Sequence, residues 1–193
     1  VQAKRKKRSK IPFFLILVLL LTAFLAVRPE PVLKLIYPLK YDELVFMYAK
    51  ENGIDPYLVF SIIKAESNFD PDATSSRNAR GLMQVTDKTG AWAAEKLGMD
   101  DFVTDDLYRP DANIKIGCWY IRQLMREFGS NINLVIAAYN AGSGNVSSWL
   151  KDEELSRNGE ELVRIPFKET DNYLKRVIKY YKMYQKLYAK RGN

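Results

Sequence analysis

The chain has 193 residues, with 30 Lys and Arg against 23 Asp and Glu, a formal net charge of +7, one cysteine and no histidine. The missing histidine excludes Ser-His and Cys-His catalysis and His-ligated metal sites, and a single cysteine, Cys118, excludes an internal disulfide or a thiolate cluster. Residues 1–27 hold six basic residues and no acidic one, which leaves 24 basic against 23 acidic from Arg28 onward, and a body at +1 argues against a nucleic-acid-binding domain. Any enzyme built from this chain works with carboxylates, hydroxyls, amides and aromatics.

Residues 1–10 form a basic arm (Lys4, Arg5, Lys6, Lys7, Arg8, Lys10), followed over 11–27 by IPFFLILVLLLTAFLAV, 17 residues without a charge. As a helix this segment covers roughly 25 Å, slightly less than a hydrocarbon core, with Lys10 and Arg28 placed to snorkel. The pattern predicts a transmembrane anchor over 11–27, with a cytoplasmic N-terminus and the rest of the chain on the outer face of the cell membrane. A cleaved signal peptide fits less well, because cuts after Ala26 or Ala23 put Phe24 or Leu21 where a small residue is needed. A buried core helix does not account for the adjacent basic run. Topology is a sufficient use for the arm, so no nucleic-acid partner is expected.

Pro29, Pro31 and Pro38 predict a semi-extended linker over 28–38, and residues 39–193 then read as one mainly helical domain. Tyr41, Leu44, Val45 and Tyr48 share a helix face that stops at Gly53; Pro56 opens a helix through Leu58, Val59, Ile62 and Ile63. Thr86 or Asp87 caps a segment ending at Gly98, and Pro110 opens a helix with the stripe Ile114, Cys118, Ile121, Met125 and Phe128, closed by Gly129. Asn131 or Asn133 caps a strongly apolar helix ending at Ala141-Gly142, whose polarity predicts a central position. The last helix begins near Thr170. Residues 151–165 are charged and aperiodic, an exposed loop or lid, and nowhere does a two-residue alternation predict a large sheet.

Glu66 is the most informative residue. Val59, Ile62 and Ile63 lie seven, four and three positions before it, so a helix puts its carboxyl on an apolar stripe. Burial disfavours the ionised form, and a position near a helix C-terminus does so again through the macrodipole. A carboxylic acid still protonated near neutral pH is what general-acid cleavage requires. On spacing alone, a solvated acid at a fraying helix end is an equal alternative.

Turn formers follow from Asn68 to Arg80, then Gly81-Leu82-Met83-Gln84. Asn78 and Gly81 can take positive φ and let backbone pass close to a ligand. Ser75, Ser76 and Gln84 offer hydrogen bonds to a neutral polar substrate, and Met83 offers either a deformable wall or core filling. Tyr139 and Asn140 end the apolar helix among small residues, where their polar tips need partners. Tyr173 lies on the apolar face of the last helix, four residues after Glu169.

At these residues the sequence resembles the catalytic domain of the soluble-lytic-transglycosylase family. The matching elements are Glu66-Ser67, Ser75, Gly81-Leu82-Met83-Gln84, Ala138-Tyr139-Asn140-Ala141-Gly142 and Ile165 to Tyr173 (IPFKETDNY), in the family's order and at compatible spacings over about Tyr41 to Tyr188. The resemblance implies a single lysozyme-like helical domain that cleaves peptidoglycan glycan strands. It also implies Glu66 as the catalytic acid/base, with Ser75, Met83, Gln84, Tyr139, Asn140 and Tyr173 lining the sugar subsites, and Glu169 as a less secure candidate. The cleavage it implies falls between N-acetylmuramic acid and N-acetylglucosamine, closes a 1,6-anhydro end with one Glu, and needs no metal or organic cofactor. A hydrolytic muramidase and a non-catalytic glycan-binding scaffold are the alternative functions. Asn78-Ala79 stands where the family often has Gly-Ala, Ser143 replaces a common Pro, and Val85-Thr86 follows Gln84 in place of Met-Pro.

Overall fold

A computed structural model describes residues 13–27, 30–129 and 131–189. It divides into two compact units, residues 1–38 and 39–193.

In the first unit, α1 (Phe13–Val27) is a helix of 15 residues whose Phe13 and Phe14 are 80% and 71% exposed. At 1.5 Å per residue it is about 22 Å long against a hydrocarbon core of about 30 Å. Among the described residues no helix is long and apolar enough to cross a membrane. The expected transmembrane helix over 11–27 is therefore not found; the arm over 1–10 and residues Ile11 and Pro12 lie outside the described residues. The expected semi-extended linker is corrected as well. α2 (Glu30–Ile36) occupies most of it, because Pro31 sits in a first helical turn where no amide donor is needed, and Lys34 pairs with Glu30 at 3.6 Å one turn away.

The second unit is built from helices that start and stop where the sequence signals them. α3 (Asp42–Asn52) ends on Gly53 at φ 65°, the left-handed cap. α4 (Pro56–Glu66) opens with Asp55, whose side chain accepts from the Tyr57 amide at 2.8 Å, and with Pro56 in the first turn. α5 (Asp87–Lys96) is capped by Thr86, and α6 (Pro110–Phe128) runs from its opening proline to Gly129. α7 (Ile132–Ala141) is capped by Asn131, which accepts from the amides of Asn133 and Leu134. α8 (Ser143–Leu150) follows at once, and α9 (Lys168–Tyr188) closes the domain.

α7 is central, as its polarity predicted: Leu134 to Ala138 are all buried, and the helix packs against α6, α8 and α9. α9 lies along α4, and α3 packs on α6. Two phenols, the buried Tyr48 and the half-buried Tyr181, tie these layers. Tyr48 of α3 donates to Asp111 at the start of α6 at 2.6 Å, and Tyr181 of α9 donates to Asp55, the cap of α4, at 2.6 Å.

Two short elements escaped the sequence reading. β1 (Ala79–Arg80) pairs antiparallel with β2 (Val85–Thr86), and a 3-10 turn covers Thr104–Tyr108. α8 was also missed, because Gly142 and Gly144 read as the end of a helix and hid the start of the next. The loop over 151–165 is folded on itself. Leu155 and Ser156 are buried, and the Ser156 hydroxyl donates to the Glu161 carbonyl at 2.8 Å while accepting from the Gly159 amide.

Candidate active site

Glu66 is the last residue of α4, one turn beyond the fully buried Ile62 and Ile63. Burial pushes its carboxyl up to about 7, against a hydrogen bond from Tyr173 and the Arg176 charge, which both favour the ionised form; Glu169 nearby adds a smaller upward push. The Tyr173 hydroxyl donates to Glu66 Oε1 at 2.6 Å. The side chain is thus held in one position and half protonated near neutral pH, so it can give a proton and take one back.

Tyr173 is only 2% exposed, on the face of α9 that packs against α4. It is expected along the sugar subsites; here its ring is buried and its hydroxyl is engaged with Glu66. The Arg176 guanidinium lies 5.5 Å from the Tyr173 ring centroid, one turn farther along α9. Burial pushes both the Tyr173 and Tyr139 phenols well above their ordinary value, so both remain donors.

The Gly81 to Gln84 element sits opposite, and close packing dictates its residues. Gly81 has φ 71°, and a Cβ there would collide with the Leu107 carbonyl and the Asn113 side chain. Asn113, fully buried in α6, donates to the carbonyls of Arg80 at 2.9 Å and Leu107 at 2.7 Å and accepts from the Met83 amide at 2.8 Å. The Met83 side chain is fully buried and fills the space left by Gly117 of α6, where any Cβ would meet its sulfur. Of the two uses open to Met83, core filling is the one realised; the expected subsite wall is corrected for this residue. Its carbonyl accepts from the Tyr139 hydroxyl at 2.8 Å, and the Ser67 hydroxyl donates to the Leu82 carbonyl at 2.8 Å. The residue after the acid and the end of α7 are both bonded to this one loop.

Backbone conformation marks the same region. Asn68, Phe69, Asn78 and Gln84 all have positive φ, between 48° and 68°. Such residues cost of order 1–3 kcal/mol each and persist where surrounding structure over-determines them. The Gln84 amide nitrogen donates to the carbonyls of Ala73 and Gly81, both at 3.0 Å, which holds the turn. Ser75 is part-buried, and its hydroxyl oxygen accepts from the amides of Arg77 and Ala79.

Gln84, Tyr139 and Asn140 meet along a cleft of about 250 Å³, together with Val85, Thr86, Tyr120 and Gly142. Asn140 is oriented by Thr170 of α9, whose hydroxyl donates to its side-chain oxygen at 2.8 Å. Glu169 sits at the exposed start of α9, 3.7 Å from Arg77. Of the expected residues, Gln84, Tyr139 and Asn140 line this cleft, Tyr173 bonds Glu66, Met83 is bonded to Tyr139 through its carbonyl, and Ser75 lies in the turn before Gly81. Sequence reasoning missed Asn113, Gly117, Thr170 and Arg176. Asn113 had a signal, a polar residue flanked by Ala112 and Ile114 on an otherwise apolar helix face.

The model of the transglycosylase SLT domain family matches residues 43–161. The chain belongs to the transglycosylase SLT family. It is 33% identical over 146 residues to the soluble lytic murein transglycosylase of Salmonella typhimurium, covering 75% of this chain and 23% of that one. It is 34% identical to the membrane-bound lytic murein transglycosylase C of Haemophilus ducreyi, covering 72% of this chain and 44% of that one. Among solved structures, the 70 kDa soluble lytic transglycosylase of Escherichia coli superposes with a TM-score of 0.73 at 30% identity, over 86% of this chain and 27% of that one. An inactive mutant of lytic transglycosylase Slt from Pseudomonas aeruginosa gives 0.71 at 34% identity, over 81% of this chain and 26% of that one. A complex of the 70-kDa soluble lytic transglycosylase with bulgecin A is also similar, with a TM-score of 0.73 at 28% identity over 89% of this chain and 28% of that one. The chain thus spans between 23% and 44% of the length of these relatives, and the shared part is a mainly helical, lysozyme-like SLT domain.

Proposed function

We propose that this chain is a peptidoglycan lytic transglycosylase that cuts glycan strands between N-acetylmuramic acid and N-acetylglucosamine, using Glu66 as its single acid/base. The observation that carries this reading is the Glu66–Tyr173 pair: a carboxyl pushed up to about 7 by burial, fixed by a 2.6 Å hydrogen bond.

Protonated Glu66 gives its proton to the glycosidic oxygen, and the bond from that oxygen to the muramoyl anomeric carbon breaks with the electron pair going to the leaving sugar. The substrate's own N-acetyl group supports the cationic sugar, which takes the place of the second carboxylate used in ordinary glycoside hydrolysis. Glu66, now ionised and accepting from Tyr173, removes the proton of the muramoyl 6-hydroxyl, and the 6-oxygen closes on the anomeric carbon. Water is not consumed, and an intramolecular nucleophile gains from proximity. Gln84, Tyr139 and Asn140 line the cleft that receives the strand. Burial serves both half-reactions, because a carboxyl with a pKa near ambient pH is a competent acid and, once ionised, a competent base.

Attachment to the membrane is part of the proposal and rests on α1. Its apolar side chains are exposed in the first unit, and a helix of about 22 Å reaches most of the way through a thinned bilayer or lies within one leaflet. Sedimentation of the full chain with cell membranes, released by detergent but not by salt, supports attachment; release by salt alone overturns it.

Mass spectrometry of fragments from purified sacculi tests the chemistry. Anhydro-ended fragments are expected. Fragments heavier by one water would make the chain a hydrolase, and no fragments at all, with strands still bound, would make it a glycan-binding scaffold.

A further inference from the structure

The charge of the second unit is divided along its sequence. Residues 39–171 carry 15 basic and 22 acidic residues, or −7, whereas residues 172–193 carry seven basic residues (Lys175, Arg176, Lys179, Lys182, Lys186, Lys190, Arg191) and no acidic one. On α9, Lys175, Lys179, Lys182 and Lys186 fall within about 60° of arc at 100° per residue, a single stripe along the helix. All four are exposed. Lys175 pairs with Asp171 at 2.6 Å, but among the described residues no carboxylate lies within 4 Å of Lys179, Lys182 or Lys186. Ile178 and Met183 flank the stripe, each partly exposed, and with the four lysines they line a shallow surface depression of about 480 Å³.

A solvated helix face ordinarily mixes both signs, which relieves self-repulsion. Here the repulsion is left in place on a unit whose remaining residues, taken together, are acidic in excess. The opposite face of α9 is occupied, since Tyr173, Val177, Tyr184 and Leu187 are buried against the domain. The basic face is therefore available only for something outside. Charge complementarity asks for an anionic partner, and the two apolar side chains at its margins ask for one that also offers hydrocarbon. A polyanionic wall polymer satisfies the first demand alone. A bilayer surface containing anionic lipid satisfies both.

We propose that the outer face of α9 docks on an anionic phospholipid surface, with Lys179, Lys182 and Lys186 among the headgroups and Ile178 and Met183 at the acyl boundary. This is a contact of the second unit itself, separate from any attachment through α1, and it does not depend on the glycan-cleaving chemistry. Because Tyr173 lies on the same helix, docking holds the active site within about 20 Å along the helix of the bilayer-bound stripe.

The test uses the full chain carrying Met183→Cys labelled with an environment-sensitive fluorophore; Cys118 is fully buried and stays unlabelled. Vesicles contain phosphatidylcholine alone or phosphatidylcholine with phosphatidylglycerol, and a nitroxide on the lipid headgroup serves as quencher. Quenching is expected in the anionic vesicles only, reversed by 0.5 M salt because exposed charges are then screened. Adding Lys179→Glu and Lys186→Glu is expected to weaken it about tenfold or more, with sacculus cleavage unchanged. A second labelled protein, Lys96→Cys on α5, is expected to show no quenching. Equal quenching at both labels, equal quenching in neutral and anionic vesicles, or no quenching in either would overturn the proposal. So would an unquenched Met183→Cys label combined with loss of sacculus binding in the double-glutamate variant, which would assign the face to a wall polymer.

Discussion

At the scale of single residues the site depends on an imbalance between burial and hydrogen bonding at Glu66. Burial pushes the carboxyl up and Tyr173 pulls it down, so removing the acid and removing its hydrogen-bond donor have different signatures. Glu66→Gln keeps the shape and can still accept from Tyr173, but it has no proton to give. Cleavage of sacculi is expected to fall at least a hundredfold, measured by release of soluble fragments. Tyr173→Phe leaves the acid and deletes the bond that favours its ionised form. Its pKa then rises, the alkaline limb of the kcat/KM profile moves to higher pH, and the rate falls about tenfold because the carboxylate is a worse-placed base. An unchanged pH profile in Tyr173→Phe would contradict the assigned role.

At the scale of elements, the Gly81 to Gln84 loop is fixed from behind by α6. Asn113 makes three buried hydrogen bonds to Arg80, Leu107 and Met83, so Asn113→Ala strands three backbone groups. A loss of about 2–4 kcal/mol is expected in chemical denaturation, since buried groups left without partners carry their full desolvation penalty. Gly117→Ala acts from the other side by driving a methyl into the Met83 sulfur. About 1–3 kcal/mol of overpacking is expected, with Met83→Ala partly restoring stability in the double variant. The helices around this loop were legible because capping and stopping are local. Asp55, Thr86, Asn131 and Gly53 act on amides and carbonyls within a few residues of themselves. α8 was not legible, because Gly142 ends one helix and starts the next, and only the packing of Val146 and Trp149 shows that the chain resumes. The membrane-spanning expectation is not met among the described residues, where α1 supplies 15 residues against the about 20 that a span needs.

At the scale of the whole molecule, Glu66 links the active site to folding stability. Its folded pKa of about 7 lies above the ordinary carboxyl value of 4.5, so the native state holds a proton that the unfolded chain has already released. This contribution is fully present below about pH 4.5 and is lost as the pH rises through about 7. Wild-type stability relative to Glu66→Gln is therefore expected to fall between those pH values, leaving the Gln variant more stable by about 1–3 kcal/mol at pH 8, allowing for partial exposure of the carboxyl. Paired thermal melts across pH 4–8 measure it, and parallel curves would show that the acid is not strained by burial. Diverging curves would agree with a functional carboxyl retained against the interest of stability.

The sequence by itself determined the helical class, the main helix boundaries, the apolar stripe that ends in Glu66 and the positive φ at Asn78 and Gly81, because each depends on neighbours within one or two turns. It also marked Tyr139 and Asn140 as polar groups that needed partners, and placed Tyr173 on the apolar face of the last helix. Only the tertiary structure decided who those partners are. Tyr173 meets Glu66 across 107 positions of chain, Tyr139 meets the Met83 carbonyl across 56, and Met83 turns inward because Gly117 leaves room for it. A residue's type states what contact it requires, but the direction its side chain faces is settled only when distant helices pack.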